Sequence, residues 1–121
     1  MTIGIDIVEI QRIERLITRY QRKFLDKVFT PKEQQYCDQA SNRYARYAGR
    51  FAAKEAIRKA LQPMTSEEYL PFLDMEILPN DMGMPVPVLH TELQVQNLVS
   101  KISLSISHEQ HYAVACAMAE E

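Results

Sequence analysis

No run of apolar residues in this chain approaches the roughly 18 that a membrane span requires. The strand-like pattern that starts almost at Met1 leaves no room for a signal peptide. A soluble, cytoplasmic protein is therefore expected. Cysteine is scarce: Cys37 and Cys116 stand far apart without any C-x-x-C pattern, which suits reduced thiols better than a disulfide framework. An excess of charge of one sign is missing too. Fourteen basic and sixteen acidic residues leave a net charge of -2, so the chain as a whole has no attraction for nucleic acid, and any anionic partner has to be met by a local patch. Internal repeats, low-complexity tracts and linkers are absent. The 121 residues, 46% hydrophobic and 25% charged, are enough for one globular domain that buries roughly two-thirds of its unfolded surface.

Residues 2 to 9 place Ile3, Ile5 and Ile7 on one face and Gly4, Asp6 and Val8 on the other, which is the period of a strand. Aspartate is depleted in strands, so Asp6 marks either an exposed sheet face or a site. From about Ile10 to Phe29 the pattern is helical. Ile13, Leu16, Ile17, Tyr20 and Phe24 share one side, and Arg12, Arg15, Arg19 and Arg22 gather on another. Such a stripe is either a solvated face or a surface for an acidic protein partner. Thr30-Pro31-Lys32-Glu33 predicts a helix beginning at Pro31 with a capping box. A pause near residues 40–42, with Ser41 as the cap, leads into a long helix that Pro63 stops at or just before Gln62.

Beyond a loop over residues 63–71, a strand is expected near residues 73–78, a turn at 79–83, and a second strand near 84–89. Pro85 and Pro87 confine that second strand to an edge. Thr91 and Gln94 predict a short helix reaching about Val99. The chain then ends in a hairpin, in which Ile102, Leu104 and Ile106 alternate with serines and Tyr112, Val114, Cys116 and Met118 alternate with alanines. The fold class is α+β: a mainly antiparallel sheet packed against one long helix and several shorter ones.

Most of the chemistry lies in GRFAAKEAIRKAL, residues 49–61. Ala45, Ala48, Ala52, Ala56 and Ala60 recur at helical spacing and form a smooth seam that another element can approach closely. Beside the seam, Glu55 has Arg58 and Lys59 within one turn, and Arg50, Lys54 and Arg58 form a second row. One carboxylate among four cations could hold a metal ion and a polyphosphate. Glu followed by Lys at i+4 is also what ordinary exposed helices use to gain a few tenths of a kcal/mol. Tyr44, Tyr47 and Phe51 read as core or subunit contacts. His108, His111 and Cys116 make a weak case for zinc, because they have no fourth ligand. His90 has no evident partner.

Three stretches, GIDIVEI with Asp6, GRFAAKEAIRKAL, and SLSISHEQHYAVACA with His108, together resemble the signature of the holo-acyl-carrier-protein synthase family of 4'-phosphopantetheinyl transferases. The resemblance implies a single transferase domain over residues 1–121. Its reaction moves 4'-phosphopantetheine from coenzyme A to a serine of an acyl carrier protein and releases adenosine 3',5'-bisphosphate. It further implies Asp6 and Glu55 as magnesium ligands and a catalytic set of Glu55, Lys59 and Asp6. Coenzyme A contacts would come from Arg50, Lys54, Lys59, Pro85 and His108. The carrier would dock on Arg12, with Arg15 and Arg19 beside it. Family members are homotrimers with sites between subunits. The proton of the attacking serine would pass to Glu55, directly or through a metal-bound water.

Two departures stand out. Where the family has a Gly-Thr-Gly turn after the long helix, this chain has Gln62, Pro63 and Met64, and Met84 stands where a basic residue normally precedes Pro85. The first leaves open how that side of the coenzyme A pocket is built, because glycine-rich turns let backbone amides approach phosphate. The second removes a cation near the cofactor, which predicts weaker coenzyme A binding. They also leave room for a non-catalytic carrier-protein-binding homologue. The same ligands would suit metal-dependent hydrolysis of coenzyme A or another diphosphate. The retained Asp6, Glu55, Lys59 and His108 argue against the non-catalytic homologue, and a carrier serine as obligatory acceptor distinguishes transfer from hydrolysis.

Overall fold

One strand, four helices and a further four strands follow in order in the computed structural model, which describes residues 1–64, 70–90 and 101–120. They are β1 (Thr2–Glu9), α1 (Ile10–Tyr20), α2 (Arg22–Val28), α3 (Pro31–Asp38), α4 (Arg43–Leu61), β2 (Met75–Pro79), β3 (Pro85–Leu89), β4 (Lys101–His108) and β5 (Tyr112–Glu120). The helix expected over residues 91–99 lies outside the described residues. β1, β5 and β4 form an antiparallel sheet in that order, and β2 and β3 pair as a separate antiparallel ribbon. The chain's two ends meet in this sheet, with Thr2 opposite Ala119 and Asp6 opposite Ala115.

α4 lies across the sheet, and small residues make this possible. The alanine seam, Ala45, Ala48, Ala52, Ala56 and Ala60, is buried, as are Ala113, Ala115, Ala117 and Ala119 of β5. At Gly4 the approach is closest: an added Cβ would collide with the Ala56 carbonyl oxygen and stand 2.7 Å from the Ala60 amide nitrogen. The other face of β1 is open, with Ile3, Ile5 and Ile7 60 to 64% exposed. Alternation in the sequence separates these two faces but does not say which one turns inward.

The opposite side of α4 is buried as well. Tyr47, Arg50, Lys54, Ile57 and Leu61, spaced by three and four residues, all lie inside. Over them sit α2, α3 and the ribbon, joined by an aromatic chain in which Phe29 meets Tyr47 at 4.9 Å and Phe51 meets Phe72 at 5.6 Å between ring centres.

Several sequence expectations are corrected. The helical stretch from Ile10 to Phe29 is two helices, broken at Gln21, whose φ of 50° and ψ of -126° no right-handed helix contains. The break turns Arg22 away from the other arginines, and its guanidinium donates to the Gln34 side chain at 2.5 Å. Asn42 rather than Ser41 caps α4, accepting from the Ala45 amide at 3.2 Å. His90 does have a partner, since its Nε2 stands 3.7 Å from a Glu76 carboxylate oxygen. The capping box at Thr30 and Glu33 forms as read, and α4 stops at Leu61, running on as a 3-10 turn over Gln62–Met64.

Gln21 occupies backbone space that glycine enters freely and other residues enter at about 1–3 kcal/mol. Gln21→Gly is expected to raise stability by about 1 kcal/mol after the entropic cost of glycine, about 0.5–1 kcal/mol, is deducted. Thermal unfolding measures it. A melting temperature equal to or below that of the parent would show that the turn holds no strain.

Candidate active site

Asp6 and Lys59, more than fifty residues apart in the chain, meet at the edge of α4. Lys59 Nζ donates to Asp6 Oδ1 at 3.1 Å and to the Ile5 carbonyl at 3.0 Å. The strand parity that aims Gly4 and Val8 at the helix also aims Asp6 there. Here the helix offers a lysine stem rather than an alanine, so the carboxylate is only partly buried, its side chain 18% exposed. Glu55 lies one turn before Lys59, on the same face of α4. Its Oε1 accepts from Arg58 Nη1 at 3.3 Å, and its side chain is 27% exposed. Arg58 is held in turn by Phe72, whose ring its guanidinium carbon overlies at 3.6 Å, and by the Leu70 carbonyl at 2.8 Å from Nε. Two half-exposed carboxylates and two cations thus share one face.

Lys54 does not join them. It was counted among the cations around Glu55, but its side chain is fully buried on the other side of α4. Nζ donates to Glu33 Oε1 at 2.7 Å, the Val28 carbonyl at 2.5 Å and the Phe72 carbonyl at 3.1 Å. An ammonium with all three protons engaged and no exposed surface has nothing left for a phosphate, so its expected contact with coenzyme A is withdrawn. Burial pulls Lys54 below the usual lysine range, against the opposing pull of the Glu33 carboxylate.

Of the other expected coenzyme A contacts, Lys59 stands on Asp6, while Arg50, Pro85 and His108 form no hydrogen bond or ion pair with Asp6 or Glu55 among the described residues. Arg50 is buried, its guanidinium 4.7 Å from the Tyr36 ring centre and its Nε without a hydrogen-bond partner. Pro85 begins β3, opposite Pro79. His108 is exposed at the end of β4, in register with Ala113. It borders a shallow hollow of about 360 Å3 with Ile7, Ser107, Glu109, Tyr112 and Val114. Asp6 and His108 stand on the two outer strands of a three-stranded sheet and are offset by two residues in register, which puts them about 12 Å apart.

Arg12, Arg15 and Arg19 line the exposed side of α1, around a surface hollow of about 530 Å3 shared with Leu16 and Tyr20. Arg15 pairs with Glu9 at 3.2 Å, and Arg19 overlies the Tyr20 ring at 5.3 Å. The structure keeps three of the four arginines of the stripe together. Neither thiol joins the site. Cys37 is buried, and burial pushes it up to about 12, far from a thiolate at neutral pH.

With the geometry in place, comparison with known proteins decides the family. A family model described as the 4'-phosphopantetheinyl transferase superfamily matches residues 2–117. The chain belongs to this superfamily. It is 41% identical over 122 residues to a holo-[acyl-carrier-protein] synthase of Halothermothrix orenii, covering 98% of this chain and 96% of that one. Among solved structures, the Helicobacter pylori holo-[acyl-carrier-protein] synthase in complex with coenzyme A superposes with a TM-score of 0.82 at 37% identity, over 98% of this chain and 99% of that one. The Bacillus anthracis synthase, in complex with CoA (3',5'-ADP), gives a TM-score of 0.77 at 35% identity, over 98% and 94% of the two chains. The α+β transferase fold read from the sequence is thus borne out.

Proposed function

We propose that this chain transfers the 4'-phosphopantetheine arm of coenzyme A to a serine hydroxyl of an apo acyl carrier protein, releasing adenosine 3',5'-bisphosphate. The observation that carries the reading is the meeting of Asp6 and Lys59 at 3.1 Å on the face of α4 that also bears Glu55, inside a fold shared with synthases solved with coenzyme A.

The serine oxygen forms a new bond to the phosphorus next to pantetheine, and the bond from that phosphorus to the bridging oxygen breaks. Asp6 and Glu55 fit a magnesium ion: both are hard carboxylate donors, neither side chain is fully buried, and the Lys59 ammonium that faces Asp6 is half exposed and can turn away. A magnesium ion takes one or two carboxylates from a protein and keeps several of its waters. When bound, magnesium supplies neutralisation of diphosphate charge. Lys59, its ammonium half exposed, answers charge on the leaving diphosphate oxygen. Glu55 receives the serine proton.

A homotrimer with shared sites belongs to the same proposal. The open β1 face is apolar, carrying Ile3, Ile5 and Ile7 beside the half-buried Val114, Cys116 and Met118. Such a face is what a neighbouring subunit would cover. A site shared across such a contact would draw Asp6 from one subunit and His108 from its neighbour around one coenzyme A. Sedimentation equilibrium tests it, and a monomer at micromolar concentration rules out shared sites. A reducing, cytoplasmic setting fits the two free thiols.

Intact mass spectrometry of an apo carrier protein, incubated with this protein, coenzyme A and magnesium, tests the reaction. The carrier serine should gain one phosphopantetheine arm, and chelator should prevent it. Free phosphopantetheine without carrier modification would mean hydrolysis, and coenzyme A binding without either product would mean a non-catalytic carrier-binding protein.

Docking on α1 has its own prediction. Arg12 is exposed and forms no ion pair among the described residues, so reversing its charge leaves the fold alone while it repels an acidic partner. Arg12→Glu is expected to raise the KM for carrier about tenfold or more, since each charge pair at such a surface carries about 1.5 kcal/mol or more, and to leave the KM for coenzyme A nearly unchanged. Equal changes in the two constants would count against docking there.

A further inference from the structure

The alanine seam that brings α4 onto the sheet has a consequence for Glu55. Alanine against alanine, with Gly4 beneath Ala56 and Ala60, allows close approach but provides no large knobs in holes, and such ridges are what usually fix a helix about its own axis. The turn of α4 is therefore set on its far side, where Tyr47, Ile57 and Leu61 are buried, and by polar hooks along its flanks. On the sheet side there are two, and both are at or near the surface: Thr2 Oγ1 donating to the Ala60 carbonyl at 2.5 Å, and Lys59 on Asp6 and the Ile5 carbonyl. On the far side two fully buried side chains hook it: Tyr47, whose hydroxyl reaches the Asp38 carboxylate at 2.9 Å and the Gln34 carbonyl at 3.3 Å, and Lys54, which ties the most elements.

Lys54 reaches three elements at once: the end of α2 through the Val28 carbonyl, α3 through Glu33, and the turn before β2 through the Phe72 carbonyl. Its Nζ also stands 5.3 Å from the Phe29 ring centre. Glu33 extends the tie. Its Oε1 caps its own helix at the Thr30 amide, 2.8 Å away, and its Oε2 accepts from the Ile77 amide at 2.9 Å, so a side chain stands where β2 would otherwise need a neighbouring strand. Both side chains are 0% exposed. Four elements close on this one pair, and its lysine is the residue immediately before Glu55.

We propose that the buried Lys54–Glu33 pair is a positioning device for the reaction, locking the rotation of α4 so that Glu55 is presented opposite Asp6. The proposal rests on the role given to Glu55 above. Adjacent helix residues are fixed about 100° apart, so any rotation that lets Lys54 slip carries Glu55 through the same angle. A carboxylate about 6 Å from the axis moves about 1 Å for each 10°, and a misplacement of about 1 Å can lower a rate about a hundredfold. Lys54 and Glu33 touch neither substrate nor metal and act only through Glu55.

The experiment compares Lys54→Met with the double variant Lys54→Met/Glu33→Gln. The single variant strands a buried carboxylate and is expected to unfold at lower urea. The double variant carries no buried charge and should regain part of that stability, because removing a whole buried pair is less damaging than breaking it, although the glutamine amide nitrogen then faces the Thr30 or Ile77 N–H. In the folded double variant, kcat should fall about 10- to 100-fold and the dissociation constant for Mn2+, read by electron paramagnetic resonance without substrates, should rise about 10-fold or more. The KM for carrier, set on α1, should stay as it is. A folded double variant with parental kcat and parental Mn2+ affinity would overturn the proposal and leave the pair a purely structural tie. A fall in kcat with Mn2+ affinity unchanged would overturn it too. Failure of the underlying reading is separable, because the parental protein would then bind no Mn2+ and modify no carrier.

Discussion

Glu55→Gln is expected to abolish phosphopantetheine transfer while leaving the protein folded. Glutamine keeps the shape and one acceptor oxygen, so Arg58 retains a partner. The pair it loses is partly exposed, at 3.3 Å with 27% of the Glu55 and 16% of the Arg58 side chain open to solvent, and pairs close to the surface are worth about 1 kcal/mol. The chemistry loses far more. An uncharged amide neither accepts the serine proton nor holds a divalent cation with a full charge. Removal of a positioned base alone lowers a rate about 10²- to 10⁴-fold, and loss of the metal's charge compensation adds to it. Single-turnover mass spectrometry of the carrier, with urea unfolding alongside, makes the comparison. Turnover within about threefold of the parent would show that Glu55 is neither ligand nor base, and would leave Asp6 and Lys59 an ordinary surface ion pair.

Local chemistry made much of this fold legible. Thr30, Pro31 and Glu33 state a helix start in three residues, and the structure places all three as read. Alanine spacing marked the seam of α4. What one-dimensional spacing could not convey was depth. Lys54 falls in the same i, i+4 row as Arg50 and Arg58, and a row of cations reads as a solvated face. Its burial shows only when the row is extended as Tyr47, Arg50, Lys54, Ile57 and Leu61, a stride of three and four flanked by large apolar residues. That pattern, together with an acidic Glu33 whose helix must cross α4, was the available sign of a buried pair. The break at Gln21 was less visible, because no glycine or proline marks it and the apolar periodicity runs on from Ile17 to Phe24. The orientation of β1 was ambiguous for a physical reason. Three isoleucines look like a core face, but a helix carrying a seam of alanines packs against small residues, and the larger ones are left to face outward.

That same closeness gives the second large effect. Gly4→Ala is expected to destabilise the protein by about 3–5 kcal/mol, at the upper end for a single substitution and a large part of the 5–15 kcal/mol that holds a typical domain together. A methyl group at Gly4 meets the Ala56 carbonyl oxygen and the Ala60 amide. Both are helix backbone, so no rotamer change relieves the clash and α4 has to lift from β1 as a unit. Gly49 is the contrasting case. There the nearest atom to an added Cβ is Ile106 Cγ2 at 3.0 Å, a side-chain methyl that can turn aside, and alanine inside a helix gains about 0.5–1 kcal/mol over glycine. Gly49→Ala should therefore sit within about 1 kcal/mol of the parent. Urea midpoints for the two variants make the test, and a Gly4→Ala protein less than about 1 kcal/mol weaker would show that the contact between helix and strand is looser than described. The consequence reaches the site. Asp6 stands on the strand that α4 would leave and Glu55 and Lys59 stand on the helix, so a Gly4→Ala protein that survives folding should still bind Mn2+ and modify carrier poorly. The glycine that allows the packing also sets the distance between the strand that bears Asp6 and the helix that bears Glu55 and Lys59.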